Sequence, residues 1–153
     1  MNILVIKISA LGDVVLAVPA LRAIRRKYPK AHLCCLVGYA SHQLLRRCPY
    51  VDELIVMDPR HHDKGFLRTL KLGRKLRHYK FDKVVDFQNN RRRHLLSFLS
   101  FPRESYGYDN GKLSFLLERK QALPDGRLTP VRHQFYLLEL LGINAGKEDL
   151  SLK

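Results

Sequence analysis

Near the start of the chain a carboxylate follows a glycine and lies six residues after a lysine, in Lys7-Ile8-Ser9-Ala10-Leu11-Gly12-Asp13. A positioned carboxylate can take the proton of an attacking hydroxyl, which contributes about 10²- to 10⁴-fold to rate. A neighbouring cation such as Lys7 favours the ionised carboxylate that such a base needs. Gly12 lets a ligand or another backbone approach closely. A plainer task also fits Asp13: at the start of a helix it caps backbone N–H groups and meets the positive end of the helix dipole. Lys7 equally suits a strand-end lysine whose ammonium reaches solvent. Residue types leave both readings open.

The usual nucleotide and metal signatures are absent. No G-x-G-x-x-G follows the first apolar run, and Gly107 to Gly111-Lys112 is one residue short of a P-loop, with Leu113 where Ser or Thr belongs. Cys34-Cys35 and His61-His62 are adjacent pairs without zinc-ligand spacing. We expect no metal site and no cofactor.

The 153 residues carry a formal net charge of +14, which points to an anionic partner. The excess is regional: from Arg60 to Arg103 there are 13 Lys/Arg against 3 Asp/Glu, and the remaining residues add only +4. A solvated helix face with a basic loop would give the same count. Three cysteines in apolar surroundings do not make a secreted disulfide framework, so a reducing cytoplasm is expected. The opening Met1-Asn2-Ile3-Leu4-Val5-Ile6 lacks a basic leader, and Lys7 cuts it too short for a signal peptide. No stretch approaches the ~20 apolar residues that span a bilayer, so any membrane contact is peripheral.

The elements that must hold these residues alternate. Ile3 to Ile6 is a continuous aliphatic run, as in a strand buried on both faces of a parallel sheet. Pro19 suits the start of a helix, with Ala20, Leu21, Ile24 and Tyr28 inward and Arg22, Arg25, Arg26 and Lys27 toward solvent. Leu33 to Val37, Leu54 to Met57, Lys83 to Phe87 and Ser105 to Tyr108 read as further strands. Helices are expected over Ser41 to Arg47, over a segment ending near His78 with Phe66, Leu67, Leu70 and Leu76 as its apolar side, and over Arg92 to Leu99. Phe135, Leu137, Leu138 and Leu141 mark a last helix stopped by Gly142, while Gly111 to Pro130 stays ambiguous between loop and short helix. The expected fold is α/β: a doubly wound, mainly parallel, Rossmann-like sheet over residues 1–143. Residues 144–153 look like the start of a linker. In such sheets ligands gather at the carboxyl ends of the strands, where Lys7 to Asp13 falls.

The run Ile3 to Ile6, then Lys7-x-Ser9-x-Leu11-Gly12-Asp13-Val14 and Pro19-Ala20-Leu21, resembles the opening of the ADP-heptose:lipopolysaccharide heptosyltransferases, a family of GT-B-fold glycosyltransferases. Pro49-Tyr50-Val51-Asp52-Glu53-Leu54-Ile55 is similar to the entry to that family's third strand, and Phe81-Asp82-Lys83-Val84-Val85-Asp86-Phe87-Gln88 to its fourth. Arg103 to Tyr108 and the helix from His133 to Gly142 extend the likeness over nearly the whole chain.

The resemblance implies the N-terminal, acceptor-side domain of an inverting glycosyltransferase, with the ADP-sugar donor held mostly by a C-terminal domain beyond Lys153. The activity implied is transfer of heptose from ADP-heptose to the inner core of lipopolysaccharide, at the cytoplasmic face of an inner membrane and with peripheral contact to it. By the same likeness Asp13 is the catalytic base; Lys7, as a neighbouring cation, is the candidate to favour its ionised form or to hold an acceptor anion. Arg60 and Lys112 are candidates for acceptor carboxylates or phosphates, with ordinary solvent-facing charge as the alternative. The chain alone is then expected to be inactive. Two other classes compete. One is a basic nucleic-acid-binding domain using Arg91-Arg92-Arg93, disfavoured by the lack of a recognition module and of interleaved stacking aromatics. The other is a one-domain, non-catalytic binding module.

Overall fold

The structure, a computed structural model, describes residues 1–8, 14–58, 65–87, 98–109, 119–122 and 130–143. Strands β1 (Asn2–Lys7), β2 (His32–Gly38), β3 (Glu53–Met57), β4 (Lys83–Asp86), β5 (Glu104–Asp109) and β6 (Arg119–Ala122) form one sheet in the order β3-β2-β1-β4-β5-β6. Every neighbouring pair is parallel. The helices are α1 (Val18–Lys27), the short α2 (His42–Leu45), α3 (Phe66–Arg77) and α4 (Pro130–Leu138). A 3₁₀ turn, Glu139–Leu141, prolongs α4, and Gly142 ends it at φ 75°, a left-handed conformation that favours glycine.

β1 is central because it can be buried on both sides: Ile3, Leu4, Val5 and Ile6 are all essentially inaccessible. Alternation along the strand divides them between two cores. Ile3 and Val5 pack in a cluster with Leu21 and Ile24 of α1 and Leu137 and Leu138 of α4. Leu4 and Ile6 lie in a cluster with Leu72 and Leu76 of α3 and with Phe81. Helices therefore cover both faces, and the fold is the expected Rossmann-like α/β. Each such side chain contributes roughly 1.5–3 kcal/mol by leaving water.

Three expectations change. Phe66 and Leu67 do not face the core: they are 63% and 79% exposed, and α3 buries Thr69, Leu72 and Gly73 beside the expected Leu76. Gly73 is what lets this face in, since a Cβ there would stand 2.6 Å from Cβ of Leu99. On α1, Arg22 is buried and Arg25 half-buried, whereas Arg26 and Lys27 do reach solvent. Arg25 turns inward because the carbonyl oxygens of Ala31 (2.7 Å) and Tyr50 (3.2 Å) accept its N–H groups. The ambiguous stretch contains a strand, β6, which pairs with β5 from Tyr106↔Arg119 to Asp109↔Ala122. The remaining elements agree with the sequence within a few residues. The helix expected over Arg92 to Leu99 and the linker at 144–153 fall mostly or wholly outside the described residues.

Candidate functional site at the carboxyl end of the sheet

The strand order reverses direction at β1: the chain runs outward through β2 and β3, then returns to add β4 on the other side of β1. Such a switch opens a crevice beyond the carboxyl ends of β1 and β4, the place where open α/β sheets bind ligands. Lys7 is the last residue of β1, half-buried and in register with Val37. Residues 9–13 follow it directly in the chain and lead to Val14, which is buried in the core below α1. Asp13, Arg60 and Lys112 lie outside the described residues, so Lys7 alone of the four candidates has a described position. In chain order, though, the other three follow the carboxyl ends of strands: Asp13 after β1, Arg60 after β3 and Lys112 after β5.

The structure adds residues to this rim that sequence reasoning did not single out. Asp86 ends β4, is fully buried, and pairs in register with Ile6, while the next residue, Phe87, donates its N–H to the Ile6 carbonyl at 3.1 Å. Alternation puts Asp86 on the Ile6 face of the sheet and Lys7 on the Val5 face, so they border the crevice from opposite sides. Beyond β2, the Tyr39 N–H bonds the Met57 carbonyl at 3.1 Å, joining the ends of β2 and β3. Tyr39 is 65% exposed, and its carbonyl oxygen lies 2.7 Å from Nδ1 of His42. An exposed aromatic beside an imidazole at a strand end is a surface on which a sugar ring can rest. The sequence signal for it, a Tyr three residues before a His, is too common to find unaided.

The opposite end of the sheet holds a hydrogen-bonded polar cluster. Glu53, first in β3, accepts the Tyr79 hydroxyl at 2.7 Å and lies 3.1 Å from Nε2 of His32. These two hydrogen bonds, from Tyr79 first and His32 second, hold the Glu53 carboxyl below its usual range. The same bond to Glu53 pushes the Tyr79 hydroxyl up to about 12. His32, Cys34 and Glu53 offer three ligand atoms within 4.8 Å of one another, which could hold a metal ion. Burial, reinforced by Glu53 and Asp52, pushes the Cys34 thiol up to about 12, so its thiolate is disfavoured there. Both Glu53 oxygens already have protein partners, Oε1 the Tyr79 hydroxyl and Oε2 the His32 imidazole, so the cluster also works as a hydrogen-bonded latch.

No family model matches the chain. Over 100 residues it is 30% identical to lipopolysaccharide heptosyltransferase 2 of Escherichia coli K12, an alignment covering 65% of this chain and 29% of that protein. The fold superposes on a glycosyl transferase of family 9 from Veillonella parvula with a TM-score of 0.87, 23% identity, and coverage of 98% of this chain and 43% of the other. On the structure of E. coli ADP-heptose lps heptosyltransferase II the TM-score is 0.76 at 25% identity, covering 90% of this chain and 40% of that one. The chain thus spans less than a third of the curated relatives it matches and half or less of the solved ones. In sequence and in fold it resembles the heptosyltransferase family of glycosyltransferases.

Proposed function

We propose that this chain is the acceptor-side domain, residues 1–143 with a linker beginning at 144, of an inverting glycosyltransferase that transfers heptose from ADP-heptose to the inner core of lipopolysaccharide. The observation that carries the proposal is a coincidence of two lines: similarity to a heptosyltransferase, and a switch point at β1 whose following residues include Gly12 and Asp13. Asp13 is assigned as the general base that takes the proton of the acceptor hydroxyl as the new glycosidic bond forms and the nucleoside diphosphate leaves. Lys7 favours the ionised state of that carboxylate or holds an acceptor anion, and Arg60 and Lys112 are assigned to acceptor carboxylates or phosphates. The donor is assigned to a second α/β domain outside these residues, consistent with a chain that lacks nucleotide-binding signatures and spans a quarter to a third of its curated relatives. The site of action is assigned to the cytoplasmic face of the inner membrane. Contact with it is assigned as peripheral; no helix among the described residues is long and apolar enough to cross a membrane.

The test is transfer from ADP-heptose to a Kdo-bearing acceptor. The 153-residue chain alone is expected to give no turnover above a no-enzyme control, and a form extended by a second α/β domain is expected to turn over. Turnover by the chain alone, or none by the extended form, overturns the assignment.

A further inference from the structure

The face that α3 turns to solvent is built from two kinds of residue. Arg68, Lys71, Arg74, Lys75 and His78 are exposed, Arg77 is half-buried, and the helix contains no acidic residue. Large apolar side chains flank these cations at both ends of the helix. Phe66 and Leu67 stand at its amino end, 63% and 79% exposed. Phe98 and Phe101, 44% and 61% exposed, stand near its carboxyl end.

The second pair is fixed to the helix. The Arg77 Nε–H donates to the Leu99 carbonyl at 2.7 Å, the Arg77 guanidinium lies 3.8 Å from the Phe101 ring centroid, and Gly73 admits Leu99 against the helix. The two phenyl rings meet edge to face at 6.4 Å. Two shallow depressions follow the helix, about 370 Å³ beside Leu67, Arg74 and Leu99 and about 500 Å³ beside Arg68, Lys75 and His78, each with cations on its rim.

We infer that this face docks on a bilayer surface bearing anionic phospholipid headgroups. Exposed Phe and Leu are costly in water and gain by entering the headgroup–acyl boundary. Cations between them meet the negative surface potential, and the absence of carboxylates from α3 removes repulsion there. Nucleic acid would use the cations but has little use for Leu67, an aliphatic side chain without a stacking face. Orientation adds a reason. Because α3 follows β3, its amino end with Phe66 and Leu67 lies at the carboxyl end of the sheet, where the candidate site is. Docking there would bring that site beside a membrane-anchored acceptor. The inference thus deepens the proposed membrane-face location, and it is tested without sugar or transfer, so its failure is separable from that of the enzymatic assignment.

The test is co-sedimentation of the 153-residue chain with vesicles of phosphatidylglycerol mixed into phosphatidylcholine, against phosphatidylcholine alone. It is run at about 0.1 M salt, where charges are felt over about 10 Å. Binding to the anionic vesicles is expected to be at least ~10²-fold tighter, and the triple variant Lys71→Gln, Arg74→Gln, Lys75→Gln should lose roughly 10²-fold. The double variant Phe66→Ser, Leu67→Ser should lose about tenfold or more with unchanged circular dichroism, since both side chains already face water. The wild-type chain gives a second reading that needs no variant: salt at about 1 M, where the screening length falls to about 3 Å, should release it. Equal binding to neutral and anionic vesicles overturns the inference, as does vesicle binding indifferent to Phe66 and Leu67. An oligonucleotide of matched charge that displaces the protein from vesicles, and binds the double variant as well as the wild type, would assign the face to nucleic acid.

Discussion

The two ends of the sheet are built differently. At the amino end, carboxylates are joined to partners distant in sequence. Asp82 accepts the Asn2 backbone N–H at 2.8 Å, Asp52 accepts the Leu33 N–H at 2.8 Å and also binds Arg25, and Glu104 receives Lys83 at 2.5 Å and the Tyr106 hydroxyl. Glu53 completes the row with Tyr79 and His32. Apart from the Tyr106 hydroxyl, which bonds Glu104 within β5, each of these bonds ties one strand or helix end to another, so the amino end is a set of latches. At the carboxyl end lie the switch point and Lys7, and Asp13, Arg60 and Lys112 follow strands β1, β3 and β5 in the chain. The lesson is a division of labour. Polar residues at the amino end tie the sheet together, the candidate site belongs to the other end, and substitutions at the two ends should fail in different assays.

The sharpest break between the ends should come from Asp13. In a form of the protein active in transfer, Asp13→Asn is expected to lower kcat at least ~10²-fold while the melting temperature stays put. If kcat were near normal and only stability fell, Asp13 would be a helix cap and the carboxyl end would be structural too. Lys7→Ala should follow, with kcat/KM down about tenfold or more, the scale of one hydrogen bond to a charged group. A rise in KM alone would assign Lys7 to the acceptor anion. A fall in kcat with a shifted pH profile would assign it to Asp13.

At the amino end the expected signature is reversed. Asp52→Ala removes the acceptor of the Leu33 N–H and the partner of Arg25, and should cost about 1–2 kcal/mol of stability with transfer unchanged. Burial raises the Asp52 carboxyl, but the Leu33 N–H and Arg25 outweigh it and hold it below its ordinary value, a sign that the bonds favour the charged form. A denaturation midpoint equal to wild type, or a loss of transfer, would erase the contrast between the ends.

Much of this was legible in the sequence, for identifiable reasons. β1 carries the aliphatic run Ile3 to Ile6 and β2 the apolar run Leu33 to Val37, as strands buried on both faces of a sheet do, and the chain position of Lys7 to Asp13 follows from them. β6 was not legible, because Arg119-Lys120-Gln121-Ala122 has no apolar alternation and becomes a strand by pairing with β5. The face of α3 was misread because two sets of residues fit a helical period. Of Phe66, Leu67, Leu70 and Leu76, Leu76 is buried as expected, but Phe66 and Leu67 are exposed, and the small Gly73 turns inward because it lets Leu99 approach closely. The latches were invisible because their partners are far apart in the chain, 26 residues for Glu53 and Tyr79 and 80 for Asn2 and Asp82. Of the site, its place in the fold was legible and the exposed Tyr39 beside His42 was not, since nothing in that pair differs from ordinary surface sequence.

The smallest expected effect lies in how the amino-end latch responds to pH, and it tests whether Glu53 acts there as a charged acceptor. The folded state holds the Glu53 carboxyl below its ordinary value of 4.5, so between those values the unfolded chain binds more protons than the folded one. The stabilisation is therefore complete above about pH 4.5 and drains away as acid takes the pH down through the folded value. For Tyr79 the shift runs the other way, from 10 to about 12, so its contribution is whole below pH 10 and is lost as the pH climbs toward 12. Glu53→Gln keeps the shape and an acceptor oxygen but removes the charge that both shifts depend on. Relative to wild type, the variant should be less stable at pH 7, and the gap should narrow at both extremes, below pH 4.5 and above pH 10. The effect is modest because His32 and Glu53 are nearly half exposed and water screens them. Chemical denaturation at pH 3, 7 and 11 would read it. A gap that stays constant across all three would mean that the Glu53 charge contributes nothing and that the amino end is latched by neutral hydrogen bonds alone.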